Sequence, residues 1–137
     1  MHEPFAYFEH DADMGIIGRG TLIEEAFEHA AMAVFAIMTD LAQIRPQASV
    51  AIEFEEADAE LALVIWLNLL LGEARSRGLI FGGFRLRRSG ARWSGTAEGE
   101  PWRAELERGV EVKGATLTGL AVTQRDGIWE ARCVVDV

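Results

Sequence analysis

Two carboxylates and an imidazole fall within four residues at His10-Asp11-Ala12-Asp13, followed by Met14-Gly15. Set in a turn between extended segments, such residues offer hard oxygen donors suited to Ca²⁺ or Mg²⁺. The downstream spacing is not that of an EF-hand, and no second His or Cys stands near to suggest zinc. The plainer alternative is a solvated acidic turn whose Asp side chains cap backbone amides, with Gly15 permitting the tight bend. A second anionic group stands at Val134-Val135-Asp136-Val137, where Asp136 neighbours the last carboxylate. Three valines give this end strand character, which should tie it into a sheet rather than leave it frayed. The third group is Glu111-Val112-Lys113-Gly114. Strand alternation would put Glu111 and Lys113 on one face, either as an exposed ion pair worth ~0–1 kcal/mol or as an acid beside a cationic phosphate contact. Lys113 is the single lysine among thirteen basic residues. Its ammonium is a flexible point charge that Arg would not simply replace.

Other chemistries find less support. Arg85, Arg87, Arg88 and Arg92 surround Ser89-Gly90 and read as a solubilising hairpin tip, with RNA contact as the alternative. Asn68, inside an apolar run, reads as a satisfied core amide. Cys133 sits in an alternating strand and reads as packing. There is no G-x-S-x-G elbow and no phosphate-binding P-loop.

Charge sharpens these exclusions. The 137 residues carry a net −9, with thirteen acids and two bases in residues 1–60. That half would repel phosphate, so stable direct nucleic-acid binding is not expected, while a cation or a basic protein partner is. One cysteine permits no internal disulfide, which suits a reducing cytoplasm. Met1-His2-Glu3-Pro4 lacks a basic region leading into an apolar core, so no signal peptide is expected. The longest apolar run, Leu61 to Leu71, is about half a membrane span.

The elements that must position these groups follow from periodicity. Phe5 to Glu9 and Gly15 to Gly20 read as extended. Thr21-Leu22-Ile23-Glu24 has the form of a capping box, opening a helix that buries Leu22, Ala26, Ala30, Val34 and Met38 and fades at Thr39-Asp40. Ser49 to Glu55 alternates as a half-buried strand. A second helix should run from an Asp58 N-cap to Gly78, with little polar face in its first half. Leu79 to Arg88 and Ala91 to Glu98 form a hairpin. Val110 to Val122 and Ile128 to Val135 form another pair around Arg125-Asp126-Gly127. The expected fold is α+β, one domain over residues 1–137, with a mostly antiparallel sheet and both helices on one face.

Taken together these motifs resemble the archease family. His10-Asp11-Ala12-Asp13-Met14-Gly15-Ile16 is similar to its signature His-Thr-Ala-Asp-Val-Gly-Ile. Glu24-Glu25-Ala26-Phe27 with Met38-Thr39-Asp40 resembles its first helix, Trp66-Leu67-Asn68 with Leu70-Leu71 its Trp-Leu-Asn-Glu-Leu-Leu core, and Glu111-Val112-Lys113 its Glu-Val-Lys-Ala strand. The closing Asp136-Val137 matches as well. The resemblance implies an archease-like fold and a cytoplasmic, non-catalytic accessory protein. Its partner would be the GTP-dependent RNA ligase of tRNA splicing and RNA repair, whose guanylylation and multiple turnover it promotes. It further implies a divalent cation, calcium first with magnesium or manganese as alternatives, held by Asp13, Asp136 and an oxygen of Val137, with Lys113 beside it. Departures from the pattern are Asp11 for Thr, Leu69 for Glu, no His in Trp102 to Arg108, and Leu117-Thr118 where a Tyr-His pair often follows. Two other classes stay open: a chaperone-like modulator of RNA-modifying enzymes, and a metal-dependent hydrolase using Asp13 and Asp136.

Overall fold

The structure, a computed structural model, describes residues 3–137. Met1 and His2, on which the expectation about a leader partly rests, lie outside the described residues. Two α-helices and eight strands follow in order among the described residues: β1 Phe5–His10, β2 Asp13–Gly20, α1 Ile23–Met38, β3 Ala48–Glu55, α2 Ala59–Arg77, β4 Leu79–Ser89, β5 Arg92–Pro101, β6 Gly114–Ala115, β7 Ala121–Arg125 and β8 Ile128–Asp136, with a short 3-10 helix Leu41–Gln43 between α1 and β3. Every strand pairing is antiparallel. The strands form two sheets rather than one. The first runs β1-β2-β8-β6, with β7 on the same edge of β8 as β6, and the second runs β3-β5-β4.

Helix α1 joins the two sheets. Its small residues face the first: a Cβ on Gly18 would collide with the backbone at Ala26 and Ala30, so the helix lies directly on β2 there. Its aromatic residues face the second. Phe27 stacks on Trp93 with ring centroids 4.8 Å apart, and Phe35 meets Phe84 at 5.3 Å. Such aromatic pairs add ~0.5–1.5 kcal/mol beyond their buried area. Tyr7 fastens β1 to the helix by donating to the Ala33 carbonyl at 2.7 Å.

The capping box is displaced by one residue. Leu22, 61% exposed, occupies the N-cap position and makes no side-chain cap bond. The acid that reaches back is Glu25, whose carboxylate accepts from the Thr21 amide at 2.8 Å. Helix α2 matches its expected limits. Asp58 Oδ1 accepts from the amides of Glu60 and Leu61 at 2.8 and 3.1 Å, and Gly78 closes the helix at φ 65°, a conformation that favours glycine. Its core face carries Leu63, Trp66, Leu67 and Leu70, and the Trp66 indole donates to the Phe27 carbonyl at 3.0 Å. Its other face is open, with Leu61 and Leu69 exposed.

The long strand expected over Val110 to Val122 is not formed. Only Gly114–Ala115 and Ala121–Arg125 pair with β8. The preceding loop spends its donors elsewhere: the amides of Gly109 and Val110 bond the Met38 and Ile37 carbonyls at 2.7 and 3.1 Å. Those are last-turn carbonyls of α1, which have no partner inside the helix. Thr39 adds a bond from Oγ1 to the Glu107 carbonyl at 2.7 Å.

Glu100 holds a second junction. Its carboxylate is 2% exposed, bonds Arg103 Nε at 2.8 Å and accepts from the Arg45 amide at 2.7 Å. The Arg103 hydrogen bond, then the Arg45 amide, lower its pKa from the ordinary 4.5 against the opposing effect of burial. A lowered native value stabilises the fold above the ordinary one and loses that contribution as pH falls through the native value. E100Q is therefore expected to be less stable than wild type at pH 7 and to show a shallower further loss below pH 4.5. Urea melts across that range check this, and parallel acid limbs for the two proteins would contradict it.

Candidate site at the end of the first sheet

The β1–β2 hairpin turns at Asp11-Ala12, with His10 paired to Asp13. Asp11 takes φ 50°, which Asp tolerates better than most residues. The turn does not use Gly15, which lies within β2. A Cβ there would run into the Phe8 ring, so that glycine makes room for an aromatic side chain. His10 Nδ1 stands 4.0 Å from the Asp11 carboxylate, and both side chains are open to solvent.

Register brings the two ends of the chain together. Strand β2 pairs Met14 with Val135, so one step further Asp13 faces Asp136. On the other side of β8, Asp136 pairs with Gly114, and the Lys113 amide donates to the Asp136 carbonyl at 2.8 Å. Directly opposed residues of antiparallel strands project from the same face. His10, Asp13 and Asp136 thus form a row across three strands, with Lys113 and Val137 at its margin. Asp136 and Lys113 are exposed and Asp13 is half-buried. Neither aspartate has an ion-pair partner among the described residues.

Helix α2 secures the Lys113 segment. Asn68 Oδ1 accepts from the Ala115 amide at 2.8 Å while Nδ2 donates to the Ala115 carbonyl at 3.2 Å. The amide group thereby pairs with β6 as another strand would. Arg75 donates to the Lys113 carbonyl at 3.1 Å. Asn68 is therefore satisfied, but by this clamp at the surface rather than in the core. One exposed amide in an apolar helix was the available signal. Arg75 had none beyond its place in the last turn. Glu111 and Lys113 are both exposed, with Val112 buried between them, yet no ion pair joins them among the described residues.

Arg88, Arg92 and Cys133 have structural roles. Arg92 reaches Glu55 at 3.1 Å and Glu53 at 3.6 Å, and Arg88 lies 4.8 Å from the Trp93 ring centroid. Cys133 is fully buried, and burial pushes its thiol up to about 12, far from a nucleophile's range.

Among the described residues no group of three or more His, Cys, Asp or Glu could hold a metal ion. The carboxylates of Asp13 and Asp136 are two oxygen donors only, and a main-chain oxygen such as that of Val137 could add a third. No helix among the described residues is long and apolar enough to cross a membrane.

The class so defined is an α+β domain with an acidic row at one sheet end. A family model, the Archease protein family (MTH1598/TM1083), matches residues 5–137. An archease of Sulfolobus acidocaldarius is 40% identical over 136 residues, covering 97% of this chain and 98% of its own. One from Thermococcus gammatolerans is 36% identical, covering 96% of each. The solution structure of Methanobacterium thermoautotrophicum protein 1598 superposes with a TM-score of 0.83 at 29% identity, covering 98% of this chain and 99% of its own. A Thermotoga maritima archease, described as a possible chaperone, shares the fold at a TM-score of 0.69 and 22% identity, covering 100% and 98%. The chain belongs to the archease family.

The clamp yields a direct expectation. N68A should cost about 1 kcal/mol, the usual net loss for such hydrogen bonds. It should also speed hydrogen exchange at the Ala115 amide while leaving the core amides of α1 protected. Unchanged exchange at Ala115 would mean that the clamp does not hold β6.

Proposed function

We propose that this protein is a non-catalytic accessory factor that promotes guanylylation and turnover of a GTP-dependent RNA ligase. The observation that carries the reading is the register, whose Met14–Val135 and Gly114–Asp136 pairs bring the strand ends that bear Asp13, Asp136 and Lys113 side by side. Family membership supports it, since the resemblance assigns the family's metal and lysine positions to these residues. Action on a protein partner also accords with the description of the Thermotoga maritima archease as a possible chaperone.

The donor set fits a hard divalent cation. Two carboxylates and a Val137 oxygen are oxygen ligands only, suited to calcium, magnesium or manganese. So few protein ligands leave water to complete the shell, and calcium affinity is expected on the order of 10⁻⁴–10⁻³ M. Bound there, the ion would supply positive charge and exchangeable coordination positions at the sheet end. The chain's own groups do the rest. Asp13 and Asp136 hold the cation and present an acidic edge to a basic partner. Lys113, kept in place by its main-chain bonds to Asp136 and Arg75, offers an ammonium to a phosphate or carboxylate. The β2–β8 pairing keeps these groups in fixed relation during docking.

Ligase guanylylation with labelled GTP, with and without this protein, tests the reading. Wild type should raise the number of turnovers, and D13A and D136A should each reduce that stimulation at least tenfold while retaining the wild-type melting midpoint. Stimulation by D13A equal to wild type would rule out the acidic row as the working part. No stimulation by wild type would rule out the ligase role.

A further inference from the structure

A cleft of about 450 Å³ opens between the C-terminal ends of α1 and α2 under the segment 102–112. That volume lies within the ~300–1,000 Å³ range of small-molecule sites. Its floor is apolar: Phe35, Leu71, Ile80 and Val112 are each less than 5% exposed. Its polar lining comes chiefly from Arg75, Arg108 and Trp102, with Glu111 as the single acid.

The donors here have no carboxylate acceptor among the described residues. Arg19, Arg77, Arg92 and Arg103 each pair with a carboxylate, and Arg75 and Arg108 are two of the eight arginines that have no such partner among the described residues, brought together at one cleft. Arg75 spends one N–H on the Lys113 carbonyl. Arg108 is held over the Trp102 ring, 4.0 Å from its centroid. The indoles of Trp66 and Trp93 donate to main-chain carbonyls, whereas those of Trp102 and Trp129 have no protein acceptor among the described residues, and of these Trp102 lines the cleft. A simpler role for the two arginines would be to answer the negative ends of the helices. Those ends are already met. Gly109 and Val110 bond the last carbonyls of α1, and the Gly78 amide bonds those of Ala74 and Arg75.

We infer that this cleft binds a small molecule with an apolar body and one oxyanion head, a carboxylate or a phosphate ester. The body rests on the floor, and the head lies between Arg75 and Arg108, within reach of the Trp102 N–H. A guanidinium matches the planar oxygen pair of such a head.

Calorimetric titration of the full chain with 2-naphthoate, 2-naphthyl phosphate and the neutral 2-naphthalenemethanol tests this. At least one anion should bind with 1:1 stoichiometry and at least tenfold more tightly than the alcohol, and it should shift the Trp102 indole resonance. The tighter of the two anions identifies the head. R75Q/R108Q should bring that anion down to the alcohol's affinity. Should the double variant fail to fold, R108Q alone, at an exposed position, should still weaken the anion severalfold. A74L, which fills the floor, should weaken all three probes. No saturable binding of either anion at millimolar concentration, equal binding of the alcohol, or a folded arginine variant that binds as wild type would overturn the proposal.

Discussion

The pairing of β2 with β8 is the contact on which the rest depends. It joins residues more than a hundred positions apart and makes two distant aspartates neighbours. A slip of one residue would turn Asp136 to the opposite face and bring Val134 or Val135 to solvent. What prevents the slip is the inner face. Ala131, Cys133 and Val135 are fully buried, and Gly18 admits α1 so closely that a side chain at that position would clash. Close packing of α1 therefore specifies register, and register specifies the site.

The same helix explains why there are two sheets. One side of α1 is small enough to touch backbone, and the other carries Phe27 and Phe35. A single flat sheet could not satisfy both. The second sheet supplies the aromatic partners Trp93, Phe81 and Phe84. The loop after β5 then closes the C-terminal end of α1, which leaves short β6 to complete the sheet edge beside Asp136. Because that edge is only two residues long, Asn68 and Arg75 of α2 hold what strand pairing alone would not.

Much of this was legible in residue types and spacing. Asp58 and Gly78 mark α2 because each supplies a local answer to an unpaired helix terminus. The alternation of Val50, Ile52 and Phe54 marks β3 for a similarly local reason. Thr21 misled because the helix starts one residue later, after Leu22, so the carboxylate that reaches back to the Thr21 amide is that of Glu25. Val110 to Val122 misled more seriously. Its apolar residues suit a strand, but the backbone donors of Gly109 and Val110 are drawn to the end of α1, a tertiary demand with no trace in spacing. The meeting of Asp13 with Asp136 has no local signal either. Only family resemblance pointed to it, and the register now gives it a physical cause.

Charge shows the same division between local and long-range effects. The acidic first half draws on the more basic second half: Glu53 and Glu55 take Arg92, and Arg19 returns the exchange with Glu130. Glu28 meets a main-chain donor instead, accepting from the Leu86 amide at 2.7 Å. These contacts compensate some acids along the body of the fold, and the sheet end is among the places that they leave without an ion pair. There Asp11, Asp13 and Asp136 gather without a guanidinium partner among the described residues, although twelve arginines were available in the chain. The fold thus brings carboxylates from both ends of the chain to one sheet edge, and β2–β8 pairing rather than local sequence puts them there.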